Sequence, residues 1–162
     1  MASGVEPGGT GAVAAPAPPR LSPADIEDLL AFGEVLVSGG PRLPARDRPP
    51  LLEHVEQRLQ QGGGYYAELY HQTVDVLTRL GGGRFATLSD VERVSLIMRH
   101  RLALAQVQPD ESLTEDVRAV RTRAAPDLIG SYYASEAGWA TVGYGVFPGR
   151  CGDLTRYTRS EA

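Results

Sequence analysis

Three histidines, His54, His71 and His100, are the side chains of this sequence best suited to hold a metal or to move a proton near neutral pH. No two of them stand four residues apart, the separation that places a pair of imidazoles on one helical face. A metal centre would therefore need three separate elements to converge. No serine occupies the Gly-x-Ser-x-Gly turn that exposes a nucleophile above a sheet. Two triple-glycine runs, Gly62-Gly63-Gly64 and Gly81-Gly82-Gly83, could cradle a phosphate, but neither is followed by Gly-Lys-Ser/Thr nor preceded by a strand. They read as helix stops. Gly143-Tyr144-Gly145 shares only two letters with a dinucleotide fingerprint and has no strand–helix unit around it. The carboxylates Asp25, Glu27 and Asp28 open a helix, where the macrodipole accounts for them. The chain is thus expected to carry no catalytic, cofactor-binding or metal-ligating set of its own, and reads as an interaction partner.

Composition narrows the classes further. All 16 basic residues are arginine, which removes Schiff-base catalysis and the lysine of a P-loop. The formal charge is -4, with the arginines spread from Arg20 to Arg159 among 20 acids. No basic stripe forms for nucleic acid to follow. The densest group, Arg118, Arg121 and Arg123, reads as a solvated helix face. The one cysteine, Cys151, excludes an internal disulfide and reads as a small packed residue. No run approaches the roughly 18–20 apolar residues of a membrane span. Met1 to Pro19 is Gly/Ala/Pro with Glu6 as its only charge, so no export signal is visible and the expected compartment is the cytoplasm. A signal-bearing partner would instead carry the chain to the periplasm or cell envelope.

The elements that would position any site are helices. Ser22-Pro23-Ala24-Asp25 combines an N-cap serine, a proline at the first helical position and an acid at the third. Ile26, Leu29, Leu30, Gly33, Leu36 and Val37 form one face before Gly39-Gly40. Asp47 is expected to cap a second helix over Pro49 to Gln61 with Leu51, Leu52, Val55 and Leu59 inward. The third places Tyr66, Leu69, Tyr70, Thr73, Val76, Leu77 and Leu80 along one stripe. Ser89-Asp90-Val91-Glu92 is a capping box for a fourth, carrying Val91, Val94, Ile97, Met98 and Leu102 and ending near Val107. Ser112-Leu113-Thr114-Glu115 offers another box, leading to Val117 and Val120. Pro126 then kinks or restarts the helix, whose last turn holds Leu128, Ile129, Tyr132 and Tyr133. No strand-like alternation interrupts this series, and the fold class is all-α, a small helical bundle. The chain divides into a disordered Gly/Ala/Pro leader over 1–20, a helical domain over 21–137, and a tail over 138–162.

That tail is unlike the rest. It combines five glycines between Gly138 and Gly152 with Trp139, Tyr144, Phe147, Leu154 and Tyr157, too many aromatics for a solvated linker. Ordering about twenty such residues costs on the order of 20–40 kcal/mol. Offsetting this takes roughly 800–1,600 Å² of apolar burial at about 25 cal/mol per Å². The segment is therefore expected to be irregular and ordered by docking, with Trp139, Tyr144, Phe147 and Tyr157 as anchors and Arg150 and Arg156 bridging to carboxylates. The competing reading lets Trp139 and Tyr132 close the bundle's own core.

Several of these stretches together resemble one family. They are the Ser-Pro-Ala-Asp entry, Tyr65-Tyr66-Ala67-Glu68-Leu69-Tyr70, the Leu-Ser-Asp-Val-Glu-Arg entry, Tyr132-Tyr133-Ala134-Ser135-Glu136-Ala137-Gly138-Trp139, and the ending from Val142 to Thr158. The family is the small subunit of bacterial FAD-dependent sugar and polyol dehydrogenases, in the sorbitol/fructose dehydrogenase branch related to gluconate 2-dehydrogenase subunit 3. The resemblance covers roughly Leu21 to Thr158 and is most specific in the tail. It implies a non-catalytic chain with no cofactor of its own, bound to a large subunit of the glucose-methanol-choline type that holds FAD. A cytochrome subunit can be a third member. Tyr132, Tyr133, Trp139, Tyr144, Phe147, Arg150, Arg156 and Tyr157 would form the partner interface. Such small subunits often carry a twin-arginine export signal, and Met1 to Arg20 contains none. The alternative is a helical adaptor or regulatory module that binds some other protein through the same tail.

Overall fold

The computed structural model describes residues 20–40, 42–61 and 64–141. Seven α-helices pack together in this part: α1 (Pro23–Ser38), α2 (Pro49–Gln60), α3 (Tyr65–Gly81), α4 (Asp90–Arg99), α5 (Glu115–Ala119), α6 (Ala125–Tyr133) and α7 (Glu136–Thr141). Short 3-10 turns stand at Ala45–Asp47 and Phe85–Thr87, and a π-turn at Val120–Ala124 joins α5 to α6. The described residues contain no strand, and the expected helical bundle is what they form.

α1 is the axis of the bundle. The Ser22 side chain accepts from the Asp25 amide while Asp25 accepts from the Ser22 amide at 2.8 Å, and the helix closes on Gly39 at φ 72, a left-handed conformation that costs glycine little. Every residue from Asp28 to Val35 is buried, because α2, α3, α4 and α6 surround the helix. A one-sided apolar face is thus too narrow a description, since a helix buried all round needs contacts on every side.

At the start of α2 the structure differs from expectation. Asp47 lies in the preceding 3-10 turn, and Arg48 stands at the N-cap with no side-chain capping bond. Pro49 and Pro50 explain this, because neither has an N–H and so the first turn has fewer donors to satisfy. Leu51 and Val55 are fully buried, Leu52 and Leu59 partly. α3 follows its stripe closely, with Leu69, Tyr70, Thr73, Val76 and Leu77 buried and Gly82 as a left-handed C-cap.

α4 begins on the expected box, Ser89 and Glu92 bonding each other's backbone amides. Its buried face is Arg93, Leu96 and Ile97, whereas Val91 and Met98 point outward. The cause is Arg93, whose guanidinium turns inward to donate to the carbonyls of Phe85 and Ala86. The helix also stops at Arg99 and does not run to Val107: Arg101 adopts φ 52, and Leu102 donates to Ile97 and enters the core. A left-handed arginine here does the work usually given to glycine.

α5 takes Thr114 as its N-cap, not Ser112. The π-turn then gives the chain room at Pro126, which stands in the first turn of α6 where its missing N–H is harmless. Helix also extends beyond Ala137, since α7 includes Gly138 and Trp139. The first residues of the stretch expected to be irregular are therefore helical. The remainder of the tail, and the leader up to Pro19, lie outside the described residues.

Candidate functional site

The densest group of functional side chains gathers on Asp127, in the first turn of α6. His54 and Arg58, one turn apart on α2, and Tyr70, buried on α3, all point at this carboxylate. Oδ2 accepts from the Tyr70 hydroxyl at 2.6 Å and stands 2.8 Å from His54 Nε2. Oδ1 accepts from Arg58 Nε at 3.1 Å and Nη2 at 2.7 Å. The Arg58 guanidinium also lies over the Tyr66 ring, 4.4 Å from its centroid.

Electrostatics favour the ionised carboxylate. Burial works against the charge on Asp127, but the hydrogen bonds from His54, Tyr70 and Arg58 outweigh it and hold the carboxyl below its ordinary range. Burial, and then the carboxylate it donates to, push the Tyr70 hydroxyl far above its usual value. With Asp127 ionised, His54 Nε2 carries the proton that it donates. A carboxylate with each oxygen shared by two donors is a weak base and a strong brace. It joins α2, α3 and α6 at one point.

Two further polar clusters act in the same way. Around α1, Asp28 accepts from the Ala86 amide at 2.7 Å and lies 3.5 Å from Arg84, and Glu34 pairs with Arg48. The Asp28 contacts fix the turn between α3 and α4 against the central helix, and the Glu34 pair fixes the start of α2. On the π-turn, Arg121 is 1% exposed, which corrects the expectation of a solvated arginine face. Its guanidinium donates to the carbonyls of Leu104 and Gln106 at 2.7 and 2.6 Å and pairs with Glu111. One arginine thus straps the segment between α4 and α5 onto the bundle. Arg118 and Arg123 do lie partly in solvent.

The three histidines do not meet: His54 is on Asp127, His71 pairs with Asp75 one turn further along α3, and His100 ends α4. Among the described residues no three His, Cys, Asp or Glu side chains gather as a metal site, and no helix is long and apolar enough to cross a membrane.

Of the residues expected at a partner interface, three are described. Tyr132 is corrected: it is 0% exposed and packs with Leu30, Val37 and Leu51 in the chain's own core, because the α6 stripe turns it toward α1 and α2. Tyr133 is at the surface, its ring edge-on to Tyr132 and its hydroxyl 3.3 Å from the Val37 carbonyl. Trp139 is half-buried in α7. Tyr144, Phe147, Arg150, Arg156 and Tyr157 lie outside the described residues.

What α6 and α7 share is a tight corner. The Gly138 amide donates to Ser135 Oγ at 3.2 Å, and Ser135 Oγ donates to the Tyr132 carbonyl. A Cβ on Gly138 would collide with that carbonyl and come within 2.7 Å of the Tyr133 Cα. Only glycine lets the two helices approach so closely. The Asp127 cluster escaped sequence reading because its donors stand 57 to 73 residues from the carboxylate. The one available signal was an acid directly after Pro126.

No family model, no curated protein and no solved structure matches this chain.

Proposed function

We propose that this chain is the accessory subunit of an FAD-dependent dehydrogenase acting on alcohol groups of sugars or polyols. The large subunit, of the glucose-methanol-choline type, holds the flavin and performs the oxidation. This chain binds and stabilises it.

The observation that supports this reading is the α6–α7 corner. The motif that carries the resemblance, Tyr132 to Trp139, is built as a fixed joint: Tyr132 is anchored in the core, and Gly138 rests on the Tyr132 carbonyl. A joint held this way fixes α7 against α6 up to the end of the described residues. Docking through a pre-positioned segment loses less entropy than docking through a free one. The charged clusters that bind the helices to one another supply the stiff support such a joint requires.

Co-expression with a flavoprotein large subunit of the glucose-methanol-choline type is the test. A complex that carries flavin absorbance and dehydrogenase activity, with neither present in the lone chain, is the expected result. Dehydrogenase activity in the lone chain, or failure to co-purify with that flavoprotein, refutes the proposal.

A further inference from the structure

A cavity of about 230 Å³ opens between α1, the loop that leads to α2, the Phe85–Thr87 turn and α4. Arg42, Arg48 and Arg93 line it together with Glu27 and Glu34, and the rest of its wall is Ala31, Leu43, Ala45 and Ala86. The charges are unevenly matched. Arg48 pairs with both glutamates, so these three ions largely answer one another. Arg42 and Arg93 have one acid between them, Asp90, whose Oδ1 stands 3.4 Å from Arg42 Nε and 3.8 Å from Arg93 Nη1. A single carboxylate oxygen thus serves two guanidiniums, from farther away than a charge-assisted hydrogen bond reaches.

Arg93 is 1% exposed. Its Nε and Nη2 are taken by the carbonyls of Phe85 and Ala86, whereas Nη1 has no hydrogen-bond partner among the described residues. No side-chain nitrogen or oxygen there is both sealed off and unpartnered, so Nη1 is reached from open space, and the cavity that Arg93 lines provides it. Burial, and then the nearby Arg42, lower the Arg93 guanidinium from its ordinary value, the mark of a cation with too little counter-charge close by. An oxyanion seated against Nη1 and Arg42 supplies that charge. The alanine and leucine walls suit a short hydrocarbon body behind the charged head. Glu27 and Glu34 disfavour a second negative charge, so a monocarboxylate fits better than phosphate.

We propose that this cavity binds a short-chain monocarboxylate. Its oxygens accept from Arg93 Nη1 and the Arg42 guanidinium, Asp90, already 47% exposed, turns out to solvent, and the hydrocarbon body rests on Ala31, Ala45 and Ala86. The site shares no residue with the Asp127 cluster or the α6–α7 corner and does not depend on the flavoprotein reading.

The test titrates the full chain with sodium butyrate and follows its amide resonances by NMR. Saturable shifts gathered at Ala31, Ala45 and Ala86 are expected, with a Kd of about 1 mM, together with weaker binding of inorganic phosphate and none of butanol. Arg42→Gln removes one donor at an exposed position, and Ala45→Leu fills the cavity without changing any charge. Each is expected to weaken butyrate binding at least about tenfold, with unchanged circular dichroism. Arg79→Gln, whose arginine pairs with Asp116 on another part of the bundle, is expected to leave the affinity as it was. Absence of saturation up to about 50 mM overturns the proposal, as does phosphate binding as tightly as butyrate. Affinity indifferent to Arg42→Gln or Ala45→Leu, or an equal loss on Arg79→Gln, overturns it as well.

Discussion

The Tyr70 hydroxyl donates to Asp127 across 57 residues of sequence at 2.6 Å, on a carboxylate that His54 and Arg58 also share. Removing the acceptor leaves three donors facing one another in a largely buried place. Asp127→Ala is therefore expected to cost about 3 kcal/mol of stability. Tyr70→Phe, which leaves the remaining donors in place, is expected to cost about 1.5–3 kcal/mol. Urea unfolding of each variant measures both, and a loss below about 0.5 kcal/mol for Asp127→Ala would show that the cluster does not brace the helices.

The same carboxylate makes stability depend on pH. Asp127 sits below its ordinary value of 3.8, so the unfolded chain binds that proton more tightly than the folded one. Its contribution is complete above about pH 5 and is lost as the pH falls through the lowered folded value. Asp127→Asn should flatten the part of the acid-unfolding curve below about pH 4. Superimposable curves for the two proteins would contradict this.

Arg121 holds the segment between α4 and α5 through Leu104, Gln106 and Glu111. Arg121→Met keeps much of the volume and removes every one of these bonds, leaving two carbonyls unmatched and Glu111 with only the Gln108 amide and Arg101. A loss of about 3 kcal/mol is expected, with faster amide hydrogen exchange concentrated in residues 100–114. Uniform exchange across all helices would mean that the arginine supports the core generally and not this strap.

Gly138→Ala tests the corner. The added methyl group collides with the Tyr132 carbonyl, so α7 must swing away or unwind while α1 to α6 remain folded. Trp139 is the only tryptophan, and its emission should move to longer wavelength as it becomes more exposed. An unaltered spectrum would show that the corner is not fixed by glycine.

How much of this was legible beforehand depended on the range of the interaction. The boxes at Ser22 and Ser89, the stripe of α3 and the glycine stops at Gly39 and Gly82 are local, and each stood where the sequence placed it. Periodicity failed where a buried charge overrode it: Arg93 draws α4 round by its carbonyl contacts, which leaves Val91 and Met98 outside. Arg121 was misread for the same reason, because an arginine with two backbone carbonyls and a glutamate can be buried although its type is usually exposed. The cap at Asp47 was displaced by two prolines that reduce the need for it. The Asp127 site was illegible because three helices supply it, and no local pattern records which helices meet.

The central claim is that this chain works by docking on a flavoprotein, and the most direct measurement is its affinity for that protein with and without the tail. The full chain and a chain ended at Thr141 would be titrated against the flavin-loaded large subunit by calorimetry. The account predicts tight binding by the full chain and a loss of at least about a hundredfold, roughly 2.7 kcal/mol, in the shortened one. Equal affinities, or no binding by the full chain, would contradict it.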